Sequence, residues 1–331
     1  MKVGVIGVGY LGKYHAQKYR NIKGLELVGV ADVDLPTAEK VAKENDCKAF
    51  NDYRELLKEV DAVSVVVPTS YHHDVALECI AAGVDMLMEK SVDMLMEKPI
   101  TTTVEEADNI IAKAEEKNLI LQVGHLERFN PAVEAMMPFL TMPVFIESQR
   151  ISTFKNRALD VDVILDLMIH DIDIILNIIK SPLETIHTVG APVVTDFTDI
   201  ANARLIFENG ATANVTVSRI SRTNTRRMRI FQPGSFINVD FANRKVMTMK
   251  LKKGEFQENG MPKQDIVVNS FPEGDALNSE ILHFVKNVRE RTTPLVSGYE
   301  GRRALDVAMQ VIQQINDHQK LGVYAEDMSA R

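Results

Sequence analysis

The sequence feature that most constrains the fold is a glycine-rich turn near the beginning of the chain. Lys2–Ile6 has the apolar character of a buried strand, and the sequence G-V-G-Y-L-G separates it from a helical segment that starts at Lys13. In such a strand-turn-helix unit, Gly7 permits the tight turn, Gly9 lets the backbone approach a pyrophosphate, and Gly12 lets the helix pack closely on the strand. The unpaired N–H groups at the helix N-terminus favour an anion there, which predicts a dinucleotide cofactor. The turn residues predicted to contact this cofactor are Gly7, Gly9, Tyr10, Leu11 and Gly12.

A carboxylate follows the second predicted strand, residues 25–31. Asp32 lies at the spacing at which a carboxylate accepts a hydrogen bond from the 2′-hydroxyl of the adenosine ribose. The residues that follow carry no cation for a 2′-phosphate, and Asp34 would repel one. We therefore expect NAD rather than NADP; the alternative interpretation is a tight strand-to-helix turn that binds no ligand.

Short apolar runs alternate with helical patterns through the rest of the N-terminal part. The predicted helices cover residues 36–44, 53–57 and 71–82, and the predicted strands cover residues 48–50, 62–67 and 119–123. Thr102 and Thr103 precede two glutamates at capping-box spacing, which predicts a further helix that ends at Lys117. This alternation is typical of an α/β Rossmann fold with a doubly wound parallel sheet that is covered on both faces.

Polar residues follow the strand at residues 62–67. Pro68 and Thr69 end that strand at the carboxyl edge of the predicted sheet, where open α/β sheets bind ligands. His72 lies at the start of the next helix. We expect all three residues to contact the cofactor, and the alternative for His72 is a surface histidine at a helix start.

The sequence V-D-M-L-M-E-K occurs twice in succession, at residues 84–90 and 92–98. The unit is too short for a solenoid repeat and only one strand is expected here, which indicates a local tandem duplication. We expect the second copy to form the strand, because it alone runs into Pro99, which restricts Lys98 and gives a defined turn. Glu97 and Lys98 are then predicted to lie at the cofactor; the alternative places Lys90 there.

The sequence pattern changes beyond the predicted domain boundary at residue 124. The predicted strands cover residues 145–151, 201–207, 212–218, 228–232, 236–241 and 245–251, and the predicted helices cover residues 161–179, 277–291 and 298–319. Asn209 and Gly210 are typical of a hairpin turn between two of the strands. Residues 125–331 therefore read as an α+β domain with a large, mostly antiparallel sheet for substrate binding and oligomerisation, and residues 1–124 as the NAD-binding domain.

Composition excludes several classes of function for these 331 residues. The net charge of −8 disfavours nucleic-acid binding, and no apolar run approaches the length of a membrane span. Cys47 and Cys79 offer neither a disulfide framework nor metal-ligand spacing. We expect a cytoplasmic protein that binds no metal, and a homo-oligomer, dimer or tetramer, because a large open sheet needs its outer face covered.

A polar stripe runs along the helix predicted at residues 161–179. At about 100° per residue its members fall on one side of an otherwise apolar helix. They are Asp162, Asp166, His170, Asp173 and Asn177. One interpretation is a helix with a single solvated edge; the other places Asp166 and His170 over a cleft as substrate ligands and acid–base groups.

Taken together, these segments resemble the Gfo/Idh/MocA oxidoreductase family over nearly the whole chain. The resemblance is carried by the turn at residues 7–12, Pro68-Thr69 with His72, E-K-P at residues 97–99, R-F-N-P at residues 128–131, and Asp166 with His170. Residues 123–131 and 166–173 most resemble members that oxidise carbon 3 of UDP-N-acetylglucosamine in lipid A sugar synthesis. The duplicated segment departs from the family pattern.

The resemblance implies hydride transfer between a sugar secondary alcohol and the nicotinamide of NAD. Lys98 and His170 would share the hydroxyl proton, and Asp166 would position the substrate. Histidine titrates near neutral pH, whereas lysine needs its pKa lowered, which partial burial beside the positive nicotinamide ring provides. The alternative for Lys98 is a surface lysine after a strand. The residues expected to bind substrate are Arg128, Asn130, Lys155, Arg157, Asp166 and His170.

A nucleotide sugar also carries two phosphates, which call for cations outside the cofactor cleft. The candidates are Lys155, Arg157, Arg222, Arg226 and Arg227. Two other functions stay open: a dehydrogenase of a free polyol or sugar such as myo-inositol, and an NAD-binding regulator without turnover. The second is favoured by the inserted segment beside the site, because a small misplacement of a catalytic group slows a reaction strongly.

Overall fold

The computed structural model describes residues 1–82, 92–154, 161–272 and 274–319. The chain forms two compact units, the first made of Met1–Phe129 with Asp275–Leu305 and the second of Asn130–Gly274 with Asp306–Arg331. Residues late in the chain therefore belong in part to the first unit, whereas the division at residue 124 assigns them all to the second domain. That division remains a prediction about domains.

The first unit is built on a six-stranded sheet. Its strands are β1 (Lys2–Ile6), β2 (Glu26–Ala31), β3 (Lys48–Phe50), β4 (Ala62–Val65), β5 (Asp93–Glu97) and β6 (Leu121–Gly124). Their order is β3-β2-β1-β4-β5-β6, and all neighbouring strands are parallel. The chain changes direction of winding between β1 and β4, the position at which doubly wound sheets bind ligands. This confirms the predicted Rossmann fold.

Helices surround this sheet. They are α1 (Gly12–Asn21), α2 (Leu35–Asn45), α3 (Tyr53–Leu57), α4 (His72–Ala81) and α5 (Val104–Glu116). A short 3-10 turn, Thr69–Tyr71, precedes α4. The predicted capping box at the start of α5 is confirmed: the Thr103 side chain accepts a hydrogen bond from the Glu106 N–H, and the Glu106 carboxylate accepts one from the Thr103 N–H.

Strand β5 comes from the second copy of the duplicated sequence, as predicted. It pairs with β4 on one side and β6 on the other. Because the two copies have the same sequence, the strand residues do not explain why the second copy forms β5. The residues that follow the second copy, Pro99 and Ile100, do explain it. The Pro99 carbonyl accepts a hydrogen bond from a buried histidine, and Ile100 is fully buried. The alternative with Lys90 at the site concerns the first copy, which lies outside the described residues.

A late helix completes the core of the first unit. This helix, α8 (Ala276–Glu290), places Ile281 and Phe284 in the same buried cluster as Val3 and Val5 of β1 and Tyr19 of α1. Burial of such apolar side chains contributes about 1.5–3 kcal/mol each. The N-terminal sheet therefore depends on a segment about 280 residues away in sequence.

The second unit is built on an eight-stranded sheet. Its strands are β7 (Phe145–Thr153), β8 (Leu183–Ala191), β9 (Ile200–Phe207), β10 (Thr212–Ser221), β11 (Thr225–Gln232), β12 (Ser235–Asp240), β13 (Lys245–Phe256) and β14 (Pro262–Ser270). Their order is β14-β13-β12-β11-β7-β10-β9-β8, and among these strands only β7 and β10 pair in parallel. The predicted large, mostly antiparallel sheet is confirmed, as is the hairpin at Asn209-Gly210.

The second unit contains the helices α6 (Pro131–Met136) and α7 (Ile169–Ile178). The last helix, α9 (Gly298–His318), begins in the first unit and ends in the second along the sequence. The helix predicted at residues 161–179 differs from expectation, because Ile164–Met168 forms a π-helical turn before α7 begins. None of the described helices combines the length and the apolarity that a membrane crossing requires.

Candidate cofactor site and active site

The glycine-rich turn has the conformation that its spacing predicts. Gly7 has a φ of +83°, and a Cβ atom on it would lie 2.6 Å from the carbonyl oxygen of Val66. Both observations exclude a larger residue at this position. Gly12 packs against the same turn, whereas a Cβ atom on Gly9 would meet no protein atom within 4 Å. The open space at Gly9 lies where the fingerprint predicts close approach of a pyrophosphate.

The N-terminus of α1 has the features of an anion site. Its first turn contains no acidic residue, and no side chain caps its N–H groups. Asp32 lies across the turn, where its Oδ2 accepts a hydrogen bond from the Val8 N–H at 2.8 Å and its Oδ1 one from the Asp34 N–H at 3.0 Å. A carboxylate has about four acceptor positions, so these two bonds leave Asp32 able to accept a ribose hydroxyl. The residues present fit a dinucleotide.

The predicted cofactor residues at the ends of β1 and β4 lie on one edge of the sheet. Tyr10, Leu11 and Pro68 are exposed there, and Thr69 is half-buried. His72 is different. It is 1% exposed, and its Nδ1 and Nε2 each lie 2.9 Å from a backbone carbonyl, of Pro99 and Val67 respectively.

The structure therefore shows His72 in contact with two backbone carbonyls, and its contact with the cofactor remains a prediction. The sequence places this histidine at a helix start near the ligand edge, and α4 turns its imidazole inward between the ends of β4 and β5. Burial lowers the pKa of His72, and the two carbonyls and Glu97 oppose this effect. His72 thus ties the turn after Lys98 to the end of β4.

Glu97 and Lys98 end β5 at the same edge. Both side chains are partly exposed, and the Lys98–Pro99 peptide bond is cis. The Glu97 carboxylate contacts His15 of α1 at 3.1 Å. Burial raises the pKa of Glu97, but the hydrogen bond from His15 and the nearby charges of His15, Lys98 and His72 outweigh it, and the pKa is lowered on balance. A negative charge therefore lies beside Lys98.

His125 and Arg128 follow β6 and are both buried. Burial, together with the charges of Lys98 and Arg128, lowers the pKa of His125 to about 3, so this histidine is neutral near Lys98. Arg128 Nη2 donates a hydrogen bond to the carbonyl of Leu295 in the same unit. The sequence predicts Arg128 as a substrate ligand, and the structure gives it a contact with the protein backbone.

Asp166 and His170 belong to the second unit. Asp166 lies within the π-helical turn, and His170 lies in the first turn of α7. Isolated π turns are frequent at functional sites. Behind them, Arg150 of β7 donates two hydrogen bonds, of 2.9 and 3.0 Å, to the buried carboxylate of Asp171. This ion pair anchors the helix to the sheet next to His170.

The other members of the polar stripe have separate environments. Asp173 is buried, which differs from the expected solvated edge, and Asp162 accepts a hydrogen bond from the Thr198 N–H at 2.9 Å. Asn130, predicted to bind substrate, caps α6 by accepting a hydrogen bond from the Ala132 N–H. These contacts give Asp162 and Asn130 structural roles within the second unit.

The predicted phosphate-binding cations also differ from one another. Lys155 and Arg157 lie outside the described residues. Arg222 and Arg226 are exposed, whereas Arg227 is partly buried and donates a hydrogen bond to Gln149 at 3.1 Å. Because adjacent residues on a strand point to opposite faces, Arg226 and Arg227 of β11 cannot both face one ligand.

Sequence reasoning missed His15, Ser64 and Tyr19. Ser64 contacts both Tyr19 and His15, and His15 contacts Glu97. The three missed residues come from α1 and β4, and no local pattern joins them. The one available signal is that His15 and Tyr19 are four residues apart and therefore share a face of α1. That face is buried against the sheet.

Comparison with known proteins agrees with this geometry. Residues 1–125 match the model of an oxidoreductase family with an NAD-binding Rossmann fold, and residues 137–232 match the GFO/IDH/MocA C-terminal domain. A UDP-N-acetylglucosamine 3-dehydrogenase of Acidithiobacillus ferrooxidans is 39% identical over 94% of this chain and 96% of its own length. A scyllo-inositol 2-dehydrogenase (NAD(+)) of Bacillus subtilis is 27% identical over 93% of this chain and 92% of its own length.

A solved structure leads to the same family. The structure of a UDP-N-acetylglucosamine 3-dehydrogenase from Acidithiobacillus ferrooxidans matches this chain with a TM-score of 0.87 at 39% identity, and the match covers 96% of this chain and 98% of the other. The likeness therefore includes both units, and it confirms the resemblance in the sequence. The chain belongs to the GFO/IDH/MocA oxidoreductase family.

Proposed function

We propose that this oxidoreductase transfers a hydride from carbon 3 of UDP-N-acetylglucosamine to NAD. The observation that carries the proposal is the 39% identity to a UDP-N-acetylglucosamine 3-dehydrogenase over 94% of the chain. Identity of that extent covers the cofactor side and the substrate side together. The inositol dehydrogenase of Bacillus subtilis is a more distant relative, at 27% identity.

NAD rather than NADP is part of the proposal. Asp32 and Asp34 both follow β2, and neither forms an ion pair with a cation among the described residues. Two carboxylates without a cation oppose a 2′-phosphate, whereas Asp32 suits a ribose hydroxyl. When bound, NAD supplies the hydride acceptor at carbon 4 of its nicotinamide.

In this proposal Lys98 handles the proton of the reacting hydroxyl. A secondary alcohol releases hydride only as its proton leaves, so a base must lie within hydrogen-bond reach. Lys98 follows β5 at the ligand edge of the sheet, and the same side chain as ammonium can stabilise a developing alkoxide. His125 contributes no competing charge there, because its lowered pKa keeps it neutral.

The second unit contributes His170 and Asp166 in the same proposal. His170 shares the hydroxyl proton with Lys98, and Asp166 accepts hydrogen bonds from substrate hydroxyls. The buried Arg150–Asp171 pair supports this assignment, because it fixes the helix that carries His170.

The uridine diphosphate is assigned to cations of the second unit. Arg222 and Arg226 are the exposed candidates among the described residues, and Lys155 and Arg157 complete the proposed set. Arg227 is partly buried and donates a hydrogen bond to Gln149, and its lower exposure makes it the weaker candidate. Arg128 and Asn130 remain proposed substrate-binding residues.

The test is formation of NADH from NAD and UDP-N-acetylglucosamine, followed by nicotinamide fluorescence. The expected sugar product is lighter by two hydrogen atoms, measured by mass spectrometry. N-acetylglucosamine without the nucleotide is the matched control and should react far more slowly. UDP alone should raise the melting temperature and compete with the substrate.

Two outcomes would contradict the proposal in different ways. Turnover of myo-inositol or another free polyol, without any effect of UDP, would favour a polyol dehydrogenase. Bound NAD with no turnover of any sugar would favour an NAD-binding regulator.

We also propose that the chain forms a homo-oligomer, a dimer or tetramer, through the sheet of the second unit. The edge strand β14 exposes Ile266, Val267 and Val268 in succession. Such an edge favours pairing with another chain. Light scattering after gel filtration measures the mass directly. A cytoplasmic location and a place in lipid A sugar synthesis complete the proposal.

A further inference from the structure

Four polar side chains of the first unit form a continuous chain of hydrogen bonds that ends next to Lys98. Tyr19 Oη lies 2.8 Å from Ser64 Oγ, and His15 Nδ1 lies 3.1 Å from the same oxygen. His15 Nε2 lies 3.1 Å from Glu97 Oε1. Tyr19, Ser64 and His15 are at most 1% exposed. We call this set the Tyr19–Glu97 chain.

The donor and acceptor properties of the groups determine the direction of each hydrogen bond in the Tyr19–Glu97 chain. A carboxylate only accepts, so His15 Nε2 donates to Glu97. While the His15 imidazole is neutral, its Nδ1 accepts from the Ser64 hydroxyl, and the Ser64 oxygen accepts from Tyr19. Burial raises the pKa of Tyr19, which keeps its proton available. Every donor therefore points toward Glu97, and none of the three buried groups is left unsatisfied.

Charged and titratable groups face Glu97 from all elements packed around it. They are His15 on α1, His72 on α4, Lys98 after β5, His125 after β6 and Glu280 on α8. Burial opposes a charge on Glu97, and the donor from His15 is the strongest influence that favours it. The backbone of Gly124 approaches the carboxylate so closely that a Cβ atom there would lie 3.1 Å from Glu97 Oε2. Gly124 therefore limits the space on one side of the carboxylate.

We propose that His15 is a positioning residue that acts on Lys98 through Glu97, by holding a single negative charge at a fixed place next to the lysine. The inference rests on the proposed function, in which Lys98 handles the substrate proton. Neither the glycine fingerprint nor the E-K-P segment includes His15. The Tyr19–Glu97 chain joins the helix under the pyrophosphate site to the residue that precedes the base.

Removal of His15 has a definite consequence. Without its donor, burial weighs more heavily on Glu97 and raises the pKa of its carboxyl, so the carboxylate is protonated over more of the pH range. Lys98 then loses the neighbouring negative charge that favours its ammonium form. Loss of one charge at this range lowers the pH at which the lysine gives up its proton by about one unit.

The experiment uses the full chain and two readouts. The first is kcat/KM for the sugar nucleotide as a function of pH. The second is the rate at which acetic anhydride acetylates Lys98 at each pH, followed by mass spectrometry, which needs no turnover. His15→Leu and Glu97→Gln should both move the midpoint to lower pH by about one unit, and the double variant should move it no further.

Matched variants separate positioning from general damage. His15→Gln keeps an N–H donor for Glu97 and should restore most of the wild-type midpoint. His73 follows His72 in α4, is partly exposed, and contacts Asp74 and Asn109. As a control, His73→Leu should leave the midpoint unchanged. Glu97→Gln keeps the shape of the side chain, so it carries the test if His15→Leu fails to fold.

An unchanged acetylation midpoint in folded Glu97→Gln would overturn the inference. Failure of the proposed function gives a different result. In that case the wild-type chain does not oxidise the sugar nucleotide, while the acetylation midpoint of Lys98 still responds to His15→Leu and Glu97→Gln.

Discussion

Gly12 lies directly against the carbonyl oxygen of Gly7: a Cβ atom on Gly12 would be 1.9 Å from that oxygen. Backbone meets backbone at this contact, so no side-chain rotation can relieve it. The first helix can begin at this place only with glycine at residue 12, and the position of its N–H groups follows from that contact.

The first prediction compares Gly12→Ala with Gly9→Ala. Gly12→Ala forces the helix away from the turn and should lower the free energy of unfolding by about 1–3 kcal/mol, as overpacking does. Gly9→Ala meets no protein atom within 4 Å and should leave the melting temperature almost unchanged. The new methyl group occupies the space for the pyrophosphate, so the Kd for NAD should rise. Equal loss of stability in the two variants would contradict this assignment.

The second prediction concerns the choice between NAD and NADP. Asp32→Asn keeps an acceptor for the Val8 N–H but removes the charge that suits a ribose hydroxyl. The Kd for NAD should rise about tenfold, in line with about 1.5 kcal/mol for a hydrogen bond to a charged group. Asp34→Asn should leave the Kd for NAD unchanged and improve NADP binding, because it removes only repulsion. Titrations of both cofactors measure both effects, and tighter NAD binding by Asp32→Asn would exclude the ribose role.

The third prediction concerns Glu280, which is fully buried on α8. Neither of its carboxyl oxygens has a hydrogen-bond partner in the described part of the chain. Burial, with a further contribution from the charge of Glu97, raises the pKa of Glu280 well above its ordinary value. The folded state therefore keeps a proton that the unfolded state releases above about pH 4.5, so this group lowers stability increasingly as the pH rises above that value.

Glu280→Met removes the buried carboxyl that lowers stability at high pH, and the new side chain has a similar volume. Its free energy of unfolding at pH 8 should exceed that of the wild type by about 1–3 kcal/mol, and the difference should shrink toward pH 5. Denaturant titrations at both pH values measure it. Glu116→Met, on the exposed face of α5, is the control and should show no such pH dependence. If the difference in free energy of unfolding between Glu280→Met and the wild type grew as the pH fell, the raised pKa of Glu280 would be contradicted.

The fourth prediction concerns acid stability. The pKa of His125 is lowered to about 3 by burial and by the charges of Lys98 and Arg128. The unfolded chain takes up this proton near pH 6.5, so the folded state loses stability as the pH falls from about 6.5 toward 3, by up to about 1.4 kcal/mol per pH unit. In His125→Leu the free energy of unfolding should fall less steeply with pH, by the contribution of one proton. His73→Leu, at a partly exposed site, should not change this slope. Parallel curves for wild type and His125→Leu would refute the buried neutral state.

Much of the fold could be predicted from local pattern. Apolar runs that alternate with helical segments identified the parallel sheet, and Asn209-Gly210 identified a hairpin. Strand β8 was missed, because its inward positions include Thr188 and Gly190, so the alternation of apolar residues is broken. Strand β14 was missed for a different reason. It is exposed on both faces, and neither face carries the signal of a core.

The candidate site could be predicted where a functional residue belongs to a short local sequence pattern. Asp32 and Lys98 each end a strand, and the order of strands brings them to one edge. His15 and Glu97 are separated by 82 residues and meet only because α1 packs on β1, β2 and β4 of the sheet that contains β5. His72 was placed correctly along the chain, but the rotation of α4 that buries its ring depends on tertiary packing.

The last prediction uses the duplicated segment as its own control. Strand β5 comes from the second copy, and Lys98 follows it at the ligand edge of the sheet. Lys98→Met removes the proposed base and the cation that stabilises an alkoxide, and kcat should fall at least a hundredfold while the Kd for NAD stays near its wild-type value. Lys90→Met, in the identical sequence of the first copy, should leave kcat unchanged. Loss of turnover in Lys90→Met with full activity in Lys98→Met would transfer the catalytic role to the first copy. NADH formation and NAD titration on the same preparations distinguish the two, because a folding defect would weaken cofactor binding as well as turnover.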